Sequence, residues 1–103
     1  MWAIEVNTKM NFRYFVEQDA IYEELNNIFS SNKNIKLIGK IEIKPNRTKT
    51  NVFINLSYKL INKTSFAYET KKLIFKIEHK VFSLINAKPN NINLIFQGYE
   101  DEK

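Results

Sequence analysis

The stretch "IEIKPNRTKTNVFINLSYKL", residues 41–60, decides the fold. Upstream and through its start, Ile35, Leu37, Gly39, Ile41 and Ile43 share one parity, and Lys36, Lys40, Glu42 and Lys44 the other. After the tip, Val52, Ile54, Leu56, Tyr58 and Leu60 face one way, while Asn55, Ser57 and Lys59 face the other. Strict alternation with a polar tip is the pattern of a half-buried antiparallel hairpin. If Ile43 opposes Val52, then Ile41 meets Ile54 and Leu37 meets Tyr58. That register sets large core residues against each other, whereas a slip of one residue would turn every one of them to water.

Working outward, residues 19–30 read as a helix. Ile21, Leu25, Ile28 and Phe29 fall on one stripe, at the spacing of one helix face. Asp19 is the expected N-cap, and Glu23 and Glu24 are placed toward the positive end of the helix dipole. Residues 2–16 alternate: Trp2, Ile4 and Val6 share parity with Met10, Phe12, Tyr14 and Val16. The spacing predicts strand with a turn at Asn7-Thr8-Lys9, although residues 10–17 would also begin a helix. Downstream, residues 65–86 form the longest predicted helix, capped by Thr64 or Ser65 and stopped between Asn86 and Pro89. Ile92, Leu94 and Phe96 then alternate in a last strand, and residues 100–103 read as a solvated tail. The order implies an α+β two-layer sandwich, with two helices on one face of a mainly antiparallel sheet.

The 103 residues, 44% hydrophobic and 26% charged, fit one globular domain spanning 1–103. No apolar run reaches the roughly 20 residues of a membrane span, and the N-terminus lacks the pattern of a secretory signal. A cytoplasmic setting is expected, with membrane association only through a partner. There is no cysteine, so disulfides and thiolate metal sites are excluded.

The long helix has two apolar faces. On a wheel of 100° per residue, Phe66, Leu73, Ile74, Ile77, Val81, Leu84 and Ile85 form a sheet-facing stripe. Tyr68, Phe75 and Phe82 line up on the opposite side, with His79 between the last two along the chain. A helix on an open sheet should turn a polar back to water. Either helix 19–30 or residues 10–16 fold over this row, or a second protein molecule covers it. Tyr68, Phe75, His79 and Phe82 are therefore the candidate partner-binding residues.

The formal net charge of +5 is uneven. Residues 33–49 carry six basic groups against Glu42, whereas residues 1–32 carry two against five acidic ones. Lys36, Lys40, Lys44, Arg47, Lys49 and Lys59, beside Phe53, make a candidate nucleic-acid face that could track a backbone and stack a base. Against that, Arg is scarce, and a chain crowded with Lys, Asn and Ile reflects an AT-rich coding sequence. A solvated Lys-rich surface accounts for the same residues.

Catalytic chemistry is hard to assemble here. His79 is the only histidine, Gly39 and Gly98 are the only glycines, and Asp19 and Asp101 are the only aspartates. No nucleophile–base pair, phosphate loop or metal set follows from these. Glu23 and Glu24 diverge by about 100° on a helix, which is poor geometry for a carboxylate dyad. Neither enzyme activity nor a cofactor is expected.

Two resemblances follow. "NVFINLSYKL" with "KVFSLINAKPNNINLIFQGY" resembles the strand–helix–strand of the alkaline-shock, envelope-stress family of Gram-positive bacteria and mollicutes. Tyr58, the Ile77/Val81/Leu84 stripe and Ile92/Leu94/Phe96 stand at the matching places, over residues 51–98. This resemblance implies a non-enzymatic, self-associating protein held at the membrane surface by a partner. "GKIEIKPNRTKTNVFI" resembles the strand–turn–strand of ribosome-binding factor A and similar KH-like domains, which implies a ribosome- or RNA-associated role. A phage- or element-encoded inhibitor of a host protein is a third expectation, since such proteins are also short and motif-poor.

Overall fold

The hairpin forms strands β3 (Ile35–Pro45) and β4 (Val52–Ile61), paired antiparallel. They belong to a computed structural model that describes residues 1–9 and 11–101. Leu37 opposes Tyr58 as the alternation requires, but Ile43 opposes Ile54 and Pro45 opposes Val52. The expected pairing of Ile43 with Val52 is therefore corrected by two residues. The cause is a bulge, in which Gly39, Lys40 and Ile41 face Leu56 alone. Gly39 takes φ +72°, a left-handed conformation that glycine adopts without steric cost. Because the insertion is an even number of residues, Leu37, Ile41 and Ile43 keep to the core side. The alternation fixes which face is buried but does not register a two-residue slip.

At the tip, Asn46 organises the turn. Its backbone N–H donates to Asn51 O at 2.9 Å, and its Oδ1 accepts from the amides of Thr50 and Asn51 at 2.8 and 3.1 Å. Lys49 N–H donates back to Asn46 O at 3.1 Å, with Lys49 at φ 58°. Arg47 and Lys49 are thus turn residues pointed at water.

From β4 the chain enters α2 (Phe66–Ile85) and returns as β5 (Asn91–Glu100), which pairs parallel to β4. A parallel neighbour requires a long crossover, which α2 supplies. The three-stranded order is β3-β4-β5. Ser65 is the N-cap of α2, its Oγ accepting from Tyr68 N–H at 3.4 Å. Asn86 closes the helix in the left-handed conformation, donating its N–H to Phe82 O at 2.8 Å, as asparagine tolerates. Glu100 was expected in a solvated tail but ends β5, its carboxylate meeting Lys36. Asp101 is exposed; Glu102 and Lys103 lie outside the described residues.

The N-terminal part is a separate hairpin of β1 (Ala3–Asn7) and β2 (Arg13–Glu17), followed directly by α1 (Gln18–Ser30). Strand thus prevails over helix in 13–17. The Met10 position of the alternation lies outside the described residues, and Phe12 is exposed in the connecting loop. The expected Asp19 cap is corrected: Glu17 holds the N-cap position and makes no side-chain capping bond. Instead Gln18 N–H donates to Trp2 O, and Trp2 N–H donates to Gln18 Oε1, both at 3.1 Å. The contact with Trp2 satisfies one of the first-turn amides that lack a partner within the helix, and the helix starts one residue early. Glu23 and Glu24 consequently sit mid-helix rather than near its positive end.

One apolar cluster joins these parts. It contains Ile4, Val6 and Val16 of the small sheet, Ile21, Leu25 and Ile28 of α1, the inner residues of β3 and β4, and Leu73, Ile77, Val81 and Ile85 of α2. Phe66 departs from its expected place in this stripe. It is 42% exposed, and its ring packs on Phe96 with centroids 4.7 Å apart. Tyr58 is buried between layers; its hydroxyl lies 2.6 Å from Thr70 Oγ1, and its ring is 5.6 Å from Phe96. Among the described residues no helix is long and apolar enough to cross a membrane.

Candidate functional site

The back of α2 is where apolar surface remains uncovered. Tyr68 is 62% exposed, Phe75 66% and Phe82 49%. Burying Leu73, Ile77 and Val81 against the sheet obliges residues half a turn away to point outward. Among the described residues, neither candidate cover from within the chain buries the row. Helix α1 lies beside α2, tied by an ion pair of 3.1 Å between Glu24 and Lys80. Strand β2 reaches the C-terminal end, where the Tyr14 hydroxyl donates to Leu84 O at 3.2 Å. The expectation that α1 or residues 10–16 fold over the row is overturned for the described residues.

Within the row, His79 stacks parallel to Phe75, with centroids 6.1 Å apart and planes 2° apart. Lys72 Nζ lies 5.7 Å from the centre of the Tyr68 ring, within cation–π range. Two shallow grooves meet at Phe75 and His79. One, about 330 Å³, runs toward Asn27 and Ser31 of α1; the other, about 300 Å³, runs toward Phe82 and Lys88. The surface is therefore an aromatic ridge between two shallow troughs, edged by Lys76, Lys80 and Lys88. Phe75, His79 and Phe82 line these troughs, while Tyr68 stands on the same helix face two turns before Phe75.

The basic residues do not gather into one surface. Lys36 and Lys44 stand six ladder steps apart once the bulge is discounted, about 20 Å. Lys36 Nζ is engaged by Glu100 Oε2 at 2.9 Å. That hydrogen bond holds the Glu100 carboxyl below its ordinary value, aided by the charges of Lys36 and Lys59. Lys44 lies 3.9 Å from Glu42. Lys40, Lys44, Arg47 and Lys49 are exposed near the bulge and the tip, whereas Lys59 is half-buried at the other end beside Lys36. Phe53, 43% exposed, is on the outer sheet face one ladder position from the tip.

Two features escaped the sequence reading. Phe15 is 57% exposed on β2, with the Arg13 guanidinium 5.8 Å from its ring centre; its odd parity was the available sign. Glu69 is only 3% exposed. Its Oε2 accepts from Asn34 Nδ2 at 3.1 Å, while Oε1 is buried without a protein partner, as are Asn32 Nδ2 and Thr64 Oγ1. The available sign was spacing: Glu69 stands four residues before Leu73 in the buried series Leu73, Ile77, Val81 and Ile85.

No family model, curated protein or solved structure matches the chain.

Proposed function

We propose that this is a non-catalytic protein that acts by association, using Tyr68, Phe75, His79 and Phe82 to hold a protein partner. The observation that carries the reading is the exposure of three aromatic rings in one row on a helix whose opposite side buries Leu73, Ile77, Val81 and Ile85. Scattered apolar residues on a surface need no explanation, but aromatic rings aligned on one helix face, with Phe75, His79 and Phe82 sharing one groove, mark an interaction site. Aromatic residues also dominate binding energy in protein interfaces. The grooves on either side are shallow and open, suited to a protein surface more than to an enclosed small molecule. A self-associating, non-enzymatic role is what the resemblance to the envelope-stress family implies, and a cytoplasmic setting belongs to the same proposal.

The experiment is affinity capture from native lysate, with and without nuclease, comparing the natural chain with the Phe75→Ser/Phe82→Ser variant. A protein retained after nuclease by the natural chain and lost by the variant supports the reading. Retention of the same partner by both rejects it.

A second reading, a ribosome- or RNA-associated domain, draws on Phe53 beside the exposed Lys44, Arg47 and Lys49 at the hairpin tip. In the same capture it calls for a nuclease-sensitive partner set, lost on Lys44→Ala/Arg47→Ala/Lys49→Ala. The pairing of Lys36 with Glu100 and the distance between the basic groups make it the weaker of the two.

A further inference from the structure

We infer that two copies of this chain join through the open edge of β5, making one continuous six-stranded sheet about a two-fold axis at Leu94. The three-stranded sheet has two free edges, and they are built differently. Along β3 stand Lys36, Lys40, Glu42 and Lys44, the Gly39 bulge and Pro45 at the end. The Tyr22 hydroxyl of α1 also occupies an edge amide, accepting from Ile43 N–H at 3.2 Å. Charges, bulges, proline and a covering element are the devices that keep a sheet edge from pairing.

Strand β5 has almost none of them. From Asn91 to Tyr99 it carries no charged residue and no proline. Among the described residues, no strand lies beyond it. Its one irregularity falls late, where Gln97 and Gly98 together face Lys59. Asn91–Phe96 is left as a regular six-residue edge in step with Phe53–Tyr58.

The register follows from the side chains. Ile92, Leu94 and Phe96 face the helix side and are only half-buried. An antiparallel pair centred on Leu94 sets Ile92 against Phe96 of the second copy and Leu94 against itself. All three half-buried residues then gain apolar neighbours, extending the core across the axis. Centring on Asn93 would leave Phe96 opposite Asn90, outside the strand; centring on Ile95 would set Ile92 against Gly98 in the irregular stretch; and the half-step registers on either side of Leu94 would set Leu94 or Phe96 against Asn93. The pairing is isologous, as a two-fold dimer requires. On the outer face Asn93 meets Ile95 of the second copy, twice over.

Because α2 covers the same side of the sheet in each copy, the dimer presents both aromatic rows on one face. The contact is independent of those rows, so the two proposals fail separately.

The test uses sedimentation or light scattering on the full chain over a wide concentration range. The natural chain is expected at twice the monomer mass at high micromolar concentration. Asn93→Lys/Ile95→Lys, which sets lysine against lysine across the axis, should return the monomer, because like charges directly opposite oppose pairing. Asn93→Lys/Ile95→Glu shares the first substitution, restores opposite charges, and should remain a dimer. The chain has no cysteine, so Leu94→Cys supplies the only thiol. Directly opposed residues lie about 4.5–5.5 Å apart between Cα atoms, within disulfide reach, and mild oxidation should give a covalent dimer. A natural chain that stays monomeric, or a dimer lost in Phe75→Ser/Phe82→Ser but kept in Asn93→Lys/Ile95→Lys, overturns the inference. An edge that instead takes an added peptide strand from another protein, with the chain itself monomeric, overturns it as well.

Discussion

Substitutions on opposite sides of α2 should separate folding from binding. Leu73 and Ile77 are 0% exposed, while Phe75 and Phe82 are 66% and 49% exposed. Leu73→Ala removes buried methylenes and leaves a cavity, so a loss of about 2–5 kcal/mol of stability is expected. Phe75→Ser and Phe82→Ser remove rings that are only partly covered, and scaling the roughly 1.5–3 kcal/mol of a fully buried Phe by the covered part gives an expected loss of about 0.5–1.5 kcal/mol each. For binding the order reverses. Full burial of a Phe side chain is worth roughly 1.5–3 kcal/mol. Scaled by the exposed fractions, about 1–2 kcal/mol remains to be gained at Phe75 and about 0.7–1.5 at Phe82. Together they amount to roughly 20- to 300-fold in affinity. Urea unfolding followed by circular dichroism gives the first quantity, and titration of the captured partner against the immobilised variant gives the second. A double variant that loses more than about 3 kcal/mol of stability, beyond the share of the two rings already covered, would mean that the row is structural. Unchanged affinity would mean that the partner sits elsewhere. Either result refutes the reasoning.

Three further outcomes follow from single contacts. Asn34→Ala strips the hydrogen bond held by the buried Glu69 carboxylate and should cost about 1–3 kcal/mol, whereas Glu69→Gln, which keeps an acceptor for Asn34, should cost less in the same urea experiment. Tyr58→Phe removes the hydroxyl bonded to Thr70 at 2.6 Å without opening a cavity; an expected loss of about 0.5–1.5 kcal/mol is read from the denaturation midpoint. Glu100 titrates below its ordinary value in the folded chain through its hydrogen bond to Lys36. Its contribution is therefore present above the unfolded carboxylate pKa and is lost as pH falls through the depressed folded value. The stability of Glu100→Gln measured against pH should show a shallower acid decline than the natural chain.

Much of this architecture was legible because burial leaves a periodic trace. The period of two in 35–60 and the stripe of Leu73, Ile77 and Val81 marked both layers, and the excess of aromatics off that stripe marked the candidate site. What stayed hidden depended on pairing rather than period. The Gly39 bulge shifts the hairpin by two residues without changing any side chain's face, so alternation is blind to it. The start of α1 is set by Trp2, sixteen residues away from Gln18, and no local capping rule contains that contact. Glu69 is inside because Asn34 reaches it across thirty-five residues. Whether the row was covered from within was likewise a tertiary question, since apolar composition in 10–16 was compatible with either outcome.

The parallel pairing of β4 with β5 also shapes how the chain assembles. Strand β4 is the only one in its sheet with partners on both edges. Its antiparallel neighbour arrives through a six-residue turn, but its parallel neighbour arrives only after the whole of α2 has been made. Loop closure over that span carries the larger entropic cost, so the β3–β4 hairpin is placed to form early and β5 to dock last. Until β5 docks, β4 presents an open apolar edge during synthesis. A lesion confined to Asn91–Glu100 would therefore act on folding yield as well as on the edge that β5 offers a second copy.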